Sequence, residues 1–147
     1  MLGNKAFNLI ELLVTIAILA LIVGFALPSF TTYMLRSKVN TMYEAAAAAK
    51  FVVTNDYLNQ GALTSITYPS GSTAFTTPAQ SSDYISSIDV TSGKITVTGN
   101  ATKLNNKAIT LVITPTLDVR QQLSWACCVL SSAFFNFAPV ECRTVCP

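Results

Sequence analysis

The sequence predicts an α+β chain in which one long N-terminal helix is followed by a four-stranded antiparallel sheet. Three observations predict it. An apolar run from Phe7 to Leu27 leads, past Pro28, into apolar residues spaced by threes and fours as far as Tyr57. Beyond Gly61 that helical period stops and the composition turns to Ser, Thr, Gly and Pro. From Tyr84 onward, short runs alternate apolar and polar residues, the period of a half-buried strand.

The composition sets limits on function. A chain of 147 residues has room for one modest domain and one long additional element. It is 51% hydrophobic and only 11% charged, against about 25% charged in ordinary soluble domains. The apolar surplus lies in one N-terminal block. A net charge of +2 is too small to point to nucleic acid or an acidic substrate. The chain has no histidine, so the commonest general base and the commonest neutral metal ligand are missing. With seven acids, no Gly-rich phosphate loop and no metal-ligand cluster, the sequence predicts neither an enzyme nor a cofactor or metal site.

The first element reads FNLIELLVTIAILALIVGFAL from Phe7 to Leu27, with Lys5 before it and Pro28 after it. As a helix it is roughly 30 Å long, enough to cross a hydrocarbon core. Asn8 and Thr15 are inexpensive interruptions. Glu11 is not, because a carboxylate at the centre of a spanning helix costs on the order of 2.5–3.5 kcal/mol. A plain anchor that lets Glu11 reach the interface is one reading. A secretory signal is another, although its apolar region is shorter and holds no acid. The third takes an ionisable residue within a span as functional.

The string Lys5-Ala6-Phe7-Asn8-Leu9-Ile10-Glu11-Leu12-Leu13 resembles the processing site of type IV prepilins. In that family a short basic leader ends in a small residue, and a dedicated peptidase cuts there and methylates the new N-terminal residue, normally Phe. The resemblance implies a cut between Ala6 and Phe7, methylation of Phe7, a glutamate fifth after the cut at Glu11, and a helix-kinking proline at Pro28. It covers most of residues 5–30. Ala6 stands where the family usually has Gly, and Ala20 stands where it usually has Gly midway along the span, with Gly24 one turn later. Glu11 of one subunit would pair with the Phe7 amine of its neighbour. Two ions that are expensive to bury would then compensate each other only in the correct axial register.

Pro28 has no N–H to donate to the preceding turn, so a kink is expected there. Beyond it, Leu35, Val39, Met42, Ala46, Ala49, Val53 and Tyr57 form an amphipathic stripe, with Arg36, Lys38, Glu44, Lys50 and Asp56 off it. Ala45–Ala49 has the highest helix propensity available and permits close packing. Gly61 is the expected stop. In the pilin reading the first half of the helix protrudes and packs against other subunits, while the second half packs on its own domain.

Residues 61–80 read as a long connecting loop, pinned by Tyr68, Phe75 and Tyr84. Tyr84–Val90 and Lys94–Thr98 flank Thr91-Ser92-Gly93, a hairpin signal. Ile109–Thr114 reads as a third strand and Val119–Cys127 as a fourth, with one face of the sheet on the long helix. Phe134, Phe135 and Phe137 form an apolar cluster that reads as core, or else as a subunit contact. Lys94, Lys103 and Lys107 read as solvated lysines, or as a weakly basic edge for DNA.

The four cysteines all follow Trp125 and allow three pairings, of which one between the adjacent Cys127 and Cys128 is strained. Zinc is disfavoured without histidine or a Cys-x-x-Cys. Leu123-Ser124-Trp125-Ala126-Cys127 and Pro139-Val140-Glu141-Cys142 resemble the end of type IVa pilins, where Trp-x-Cys is tied to a later Pro-x-x-Cys. That resemblance implies a C-terminal loop closed by Cys127–Cys142, with Cys128–Cys146 left as a second pair beyond the family's usual one.

The organisation implied is a leader over residues 1–6, an apolar span over 7–28, an amphipathic continuation over 29–60 and a head over 61–147. The resemblance implies a homo-oligomeric filament subunit, handled by prepilin peptidase and the pilus assembly machinery. It would be held in the inner membrane before assembly and extracellular afterwards, and would serve adhesion, twitching motility or DNA uptake, with DNA or a host surface as partner. The rivals are a pseudopilin of a type II secretion machine and a binding module on an uncleaved single-pass anchor.

Overall fold

The computed structural model of this chain describes residues 8–75 and 83–147. One helix, α1, spans Leu9–Gln60. It is followed by a sheet of β1 (Ile85–Thr91), β2 (Lys94–Gly99), β3 (Thr110–Leu117) and β4 (Leu123–Val129), ordered β1-β2-β3-β4 and antiparallel throughout. The chain forms two compact units that divide between Met34 and Leu35.

In the second unit the stripe of α1 supplies one side of the core. Leu35, Val39, Met42, Ala46, Ala49 and Val53 are buried, with Ala45 added and Tyr57 packed at the margin. The small alanines let the helix lie close to the sheet, and the off-stripe charges stay at least partly exposed. The helix stops at Gly61, whose N–H still donates to the Tyr57 carbonyl at 2.8 Å and whose φ of 72° then turns the chain out of the helix. This left-handed position is one that glycine adopts without a Cβ penalty.

The sheet answers with two cross-strand rows. Val90, Ile95, Ile113 and Cys127 stand opposite one another in sequence, as do Ile88, Val97, Leu111 and Val129. All eight are buried, so one pleat face of every strand is committed to the helix. The hairpin between β1 and β2 turns through Ser92 and Gly93, both with positive φ, as a two-residue hairpin turn requires.

Three parts of the fold depart from the sequence reading. The fourth strand begins at Leu123 rather than Val119, because Asp118 makes a turn. Its Oδ1 accepts the N–H groups of Arg120 and Gln122, each at 2.8 Å, and Gln121 takes φ 60°. The loop after α1 is more structured than its composition implies. It holds a 3₁₀ turn at Leu63–Ser65, buries Ile66, and pairs Tyr68 with Val90 through two 2.8 Å main-chain bonds. Between β2 and β3, Leu104 is fully buried as a plug. It sits so close that a Cβ on Gly99 would lie 2.4 Å from Leu104 Cδ1 and 2.9 Å from the Ile109 carbonyl.

Candidate assembly helix and disulfide-bonded region

The described part of the first unit is the start of α1, a helix apolar on all sides. Leu9, Ile10, Leu12, Leu13, Val14, Ile16, Ile18, Leu19, Leu21, Ile22, Val23 and Phe25 are all more than half exposed. Its apolar window has a mean hydropathy of 2.7, and by length and composition it is able to cross a membrane. Among the described residues, the buried core begins at Leu35, in the second unit. A helix of this kind is stable only in lipid or against other apolar helices.

Asn8 opens the helix. Its carbonyl accepts the N–H groups of Glu11 at 3.0 Å and Leu12 at 3.2 Å, and its Oδ1 lies 3.5 Å from the Ile10 nitrogen. The Thr15 hydroxyl is satisfied within the helix by the Leu12 carbonyl at 2.8 Å. Glu11 sits in the first turn with its side chain exposed and is the acid of this segment. The negative charge lies at the helix N-terminus, where the macrodipole favours it. Ala6 and Phe7 lie outside the described residues, and Pro28 falls within the backbone of α1.

The second candidate region is the C-terminus. β4 carries Cys127 and Cys128 to opposite faces of the sheet, as neighbours on a strand must be. Cys127 bonds to Cys142 and Cys128 to Cys146, with Cα separations of 4.5 and 5.1 Å. Cys127 and Cys142 are buried in the core, while Cys128 and Cys146 are half-buried on the other face. Phe134, Phe135 and Phe137 pack against the core from the intervening loop, and Ala138 is buried beside them. Two arginines brace the same loop. Arg36 Nε donates to the Asn136 carbonyl at 2.6 Å and Arg143 Nε to the Ala138 carbonyl at 3.2 Å.

The structure does not bring the three lysines together. Lys94 opens β2, whereas Lys103 and Lys107 follow its far end, roughly 17 Å of strand away. Lys103 pairs with Asp83 at 3.7 Å, and Lys107 lies over the Phe137 ring at 5.3 Å. Lys38, which sequence reasoning left as a plain off-stripe charge, is engaged instead. It donates to the Lys103 carbonyl at 2.8 Å and lies over the Tyr84 ring at 5.2 Å.

The long helix, the four-stranded meander and the Cys127–Cys142 loop can be compared with known proteins. The family model described as Pilin (bacterial filament) matches residues 35–143. The chain belongs to the pilin family. A fimbrial protein of Neisseria meningitidis serogroup A is 35% identical to this pilin over 108 residues, covering 71% of the chain and 60% of the relative. The type IV major pilin protein PilE of Neisseria gonorrhoeae is 32% identical over 107 residues, covering 71% and 61%. The fimbrial protein EcpC of Eikenella corrodens is 28% identical over 142 residues, covering 95% of this pilin and 91% of its own length. The chain thus spans about three-fifths of the two Neisseria proteins and most of the Eikenella one.

Proposed function

We propose that this pilin is a structural subunit, not an enzyme, of a type IV pilus, polymerised through its N-terminal helix. The observation that carries this reading is a helix apolar on every side with one carboxylate, Glu11, in its first turn. Such a surface is satisfied by a bilayer before assembly and by neighbouring copies of the same helix afterwards. Relatives named as fimbrial proteins and type IV major pilins support the same reading.

In this reading residues 1–6 are a leader that prepilin peptidase removes between Ala6 and Phe7, and the Phe7 amine is methylated. Residues 7–28 anchor the subunit in the inner membrane and then form the filament core. Residues 29–60 continue the helix into the head, residues 61–147. Assembly pairs Glu11 with the Phe7 amine of an adjacent subunit, which rewards one axial register over its neighbours. The finished filament is extracellular and serves adhesion, twitching motility or DNA uptake.

The test is mass spectrometry of protein sheared from the cell surface, together with a Glu11→Gln variant. The expected result is a chain beginning at methylated Phe7, and a variant that inserts into the membrane but gives few filaments. A sheared chain still beginning at Met1, or filaments from the variant at the normal yield, would overturn the proposal.

A further inference from the structure

We propose that the Cys128–Cys146 disulfide is a thiol–disulfide exchange site that accepts an external dithiol, and that its reduction frees the C-terminal segment from the edge of the sheet. The two bridges share one strand but are not equivalent. Cys127 is 8% and Cys142 0% exposed, within the core beneath the helix. Cys128 and Cys146 are half-buried on the opposite face and line a groove of about 320 Å³ together with Lys94, Val112 and Leu130. A nucleophile can therefore approach one bridge and not the other. The Lys94 ammonium at this groove favours thiolate over thiol, both in the attacking group and in the sulfur that leaves.

The exchange balances with a dithiol as reductant. Its thiolate attacks one sulfur of the bridge, forming a new S–S bond while the Cys128–Cys146 bond breaks, and the electron pair departs on the other cysteine sulfur. The second thiol of the reductant then displaces the mixed disulfide. Two electrons and two protons pass to Cys128 and Cys146, and the reductant leaves as a disulfide.

The bridge holds a defined piece of structure. Val129 N–H donates to the Thr144 carbonyl at 2.9 Å, and Cys146 N–H donates to the Val129 carbonyl at 3.0 Å. These bonds form a parallel bridge between Val129 and Val145, and the Thr144 hydroxyl adds a bond to the Cys127 carbonyl at 3.1 Å. They show that the main-chain groups of Val129 point away from β3. The period of two then directs those of Cys127, Trp125 and Leu123 outward as well. Pro115, opposite Trp125, agrees with this, since it has no N–H to give across the pair. Releasing residues 144–146 therefore extends the open edge of β4 through Val129, while Cys127–Cys142 keeps the intervening loop closed.

The test treats the full-length chain in detergent with limiting dithiothreitol, traps thiols with N-ethylmaleimide, and reads the sites by peptide mass spectrometry. Labels are expected on Cys128 and Cys146 about tenfold faster than on Cys127 and Cys142. Hydrogen exchange on the two-label species is expected to show lost protection at Val129 and Cys146 with the core strands unchanged. Lys94→Gln is expected to slow the first labelling several-fold. Equal labelling of all four cysteines, earlier labelling of Cys127 and Cys142, or retained protection at Val129 after reduction would each overturn the proposal.

Discussion

The hydroxyl of Tyr68 donates a hydrogen bond to the carboxylate of Asp56, tying the stretch that pairs with β1 to the last turns of α1. The bond joins a residue of the loop to one of the helix, so it reports on whether the loop is docked.

That hydrogen bond, then burial, then the charge of Asp56 raise the Tyr68 phenol above its ordinary value of 10.0. The folded-state value exceeds the unfolded one, so the contribution is whole below pH ~10 and is lost as pH rises through the folded value. Tyr68→Phe is expected to lower the urea midpoint at neutral pH, and the gap from the parent is expected to shrink above pH ~11. A gap that stays constant with pH would show that the phenol proton contributes nothing.

Gly99→Ala is expected to destabilise the head by about 1–3 kcal/mol through overpacking. The added methyl meets Leu104 Cδ1, the Ile109 carbonyl and Met42 Cε at 2.4, 2.9 and 3.0 Å. The carbonyl cannot withdraw, because it already accepts the Gly99 N–H at 2.9 Å. Thermal unfolding measures the loss. Leu104→Ala alone empties a fully buried position and is itself destabilising, but the double variant should lose less than the sum of the two single losses, since the closest clash is with the leucine side chain.

Met42 and Phe51 lie on the same helix but should behave in opposite ways. Met42 is fully buried, so Met42→Ala is expected to cost about 2–5 kcal/mol. Phe51 is 75% exposed, and Phe51→Ala should leave the head's stability within about 0.5 kcal/mol. If Phe51 is covered by other subunits, filament yield will fall while the isolated head unfolds normally. Denaturation curves and filament counts on the same pair of variants separate the two roles.

These contrasts show where the sequence is readable. The buried stripe from Leu35 to Val53 is legible because a helix repeats its face every three to four residues and each position is apolar. The alternation through β2 and β3 is legible for the corresponding reason. The plug at Leu104 is not, because a single leucine in the polar stretch from Asn100 to Lys107 carries no period. A local signal was nonetheless present in Asn105 and Asn106, a residue type that tolerates the positive φ both adopt. The start of β4 is not legible because Val119 has the residue type of a strand, whereas it is 99% exposed in the turn that Asp118 organises. The placement of the lysines is not legible in the sequence either, because β2 carries Lys94 and the pair Lys103 and Lys107 to its opposite ends.

The two disulfides allow a sharper prediction than either alone. Loop-closure entropy assigns them nearly equal weight, roughly 3 kcal/mol each, because their sequence separations are 15 and 18. Burial breaks the tie. Replacing Cys127 and Cys142 together by Ser leaves two hydroxyls at positions 8% and 0% exposed, where unsatisfied polar groups cost a further ~1–3 kcal/mol each. Replacing Cys128 and Cys146 by Ser leaves hydroxyls on a half-exposed face that water can reach. Cys127→Ser/Cys142→Ser is therefore expected to shift the unfolding midpoint more than Cys128→Ser/Cys146→Ser, and the difference should narrow when Ala replaces Ser at the buried pair. Equal shifts from the two double variants would mean that chain entropy alone sets the contribution of each bridge, and that the core around Cys127 adapts to a hydroxyl at no cost.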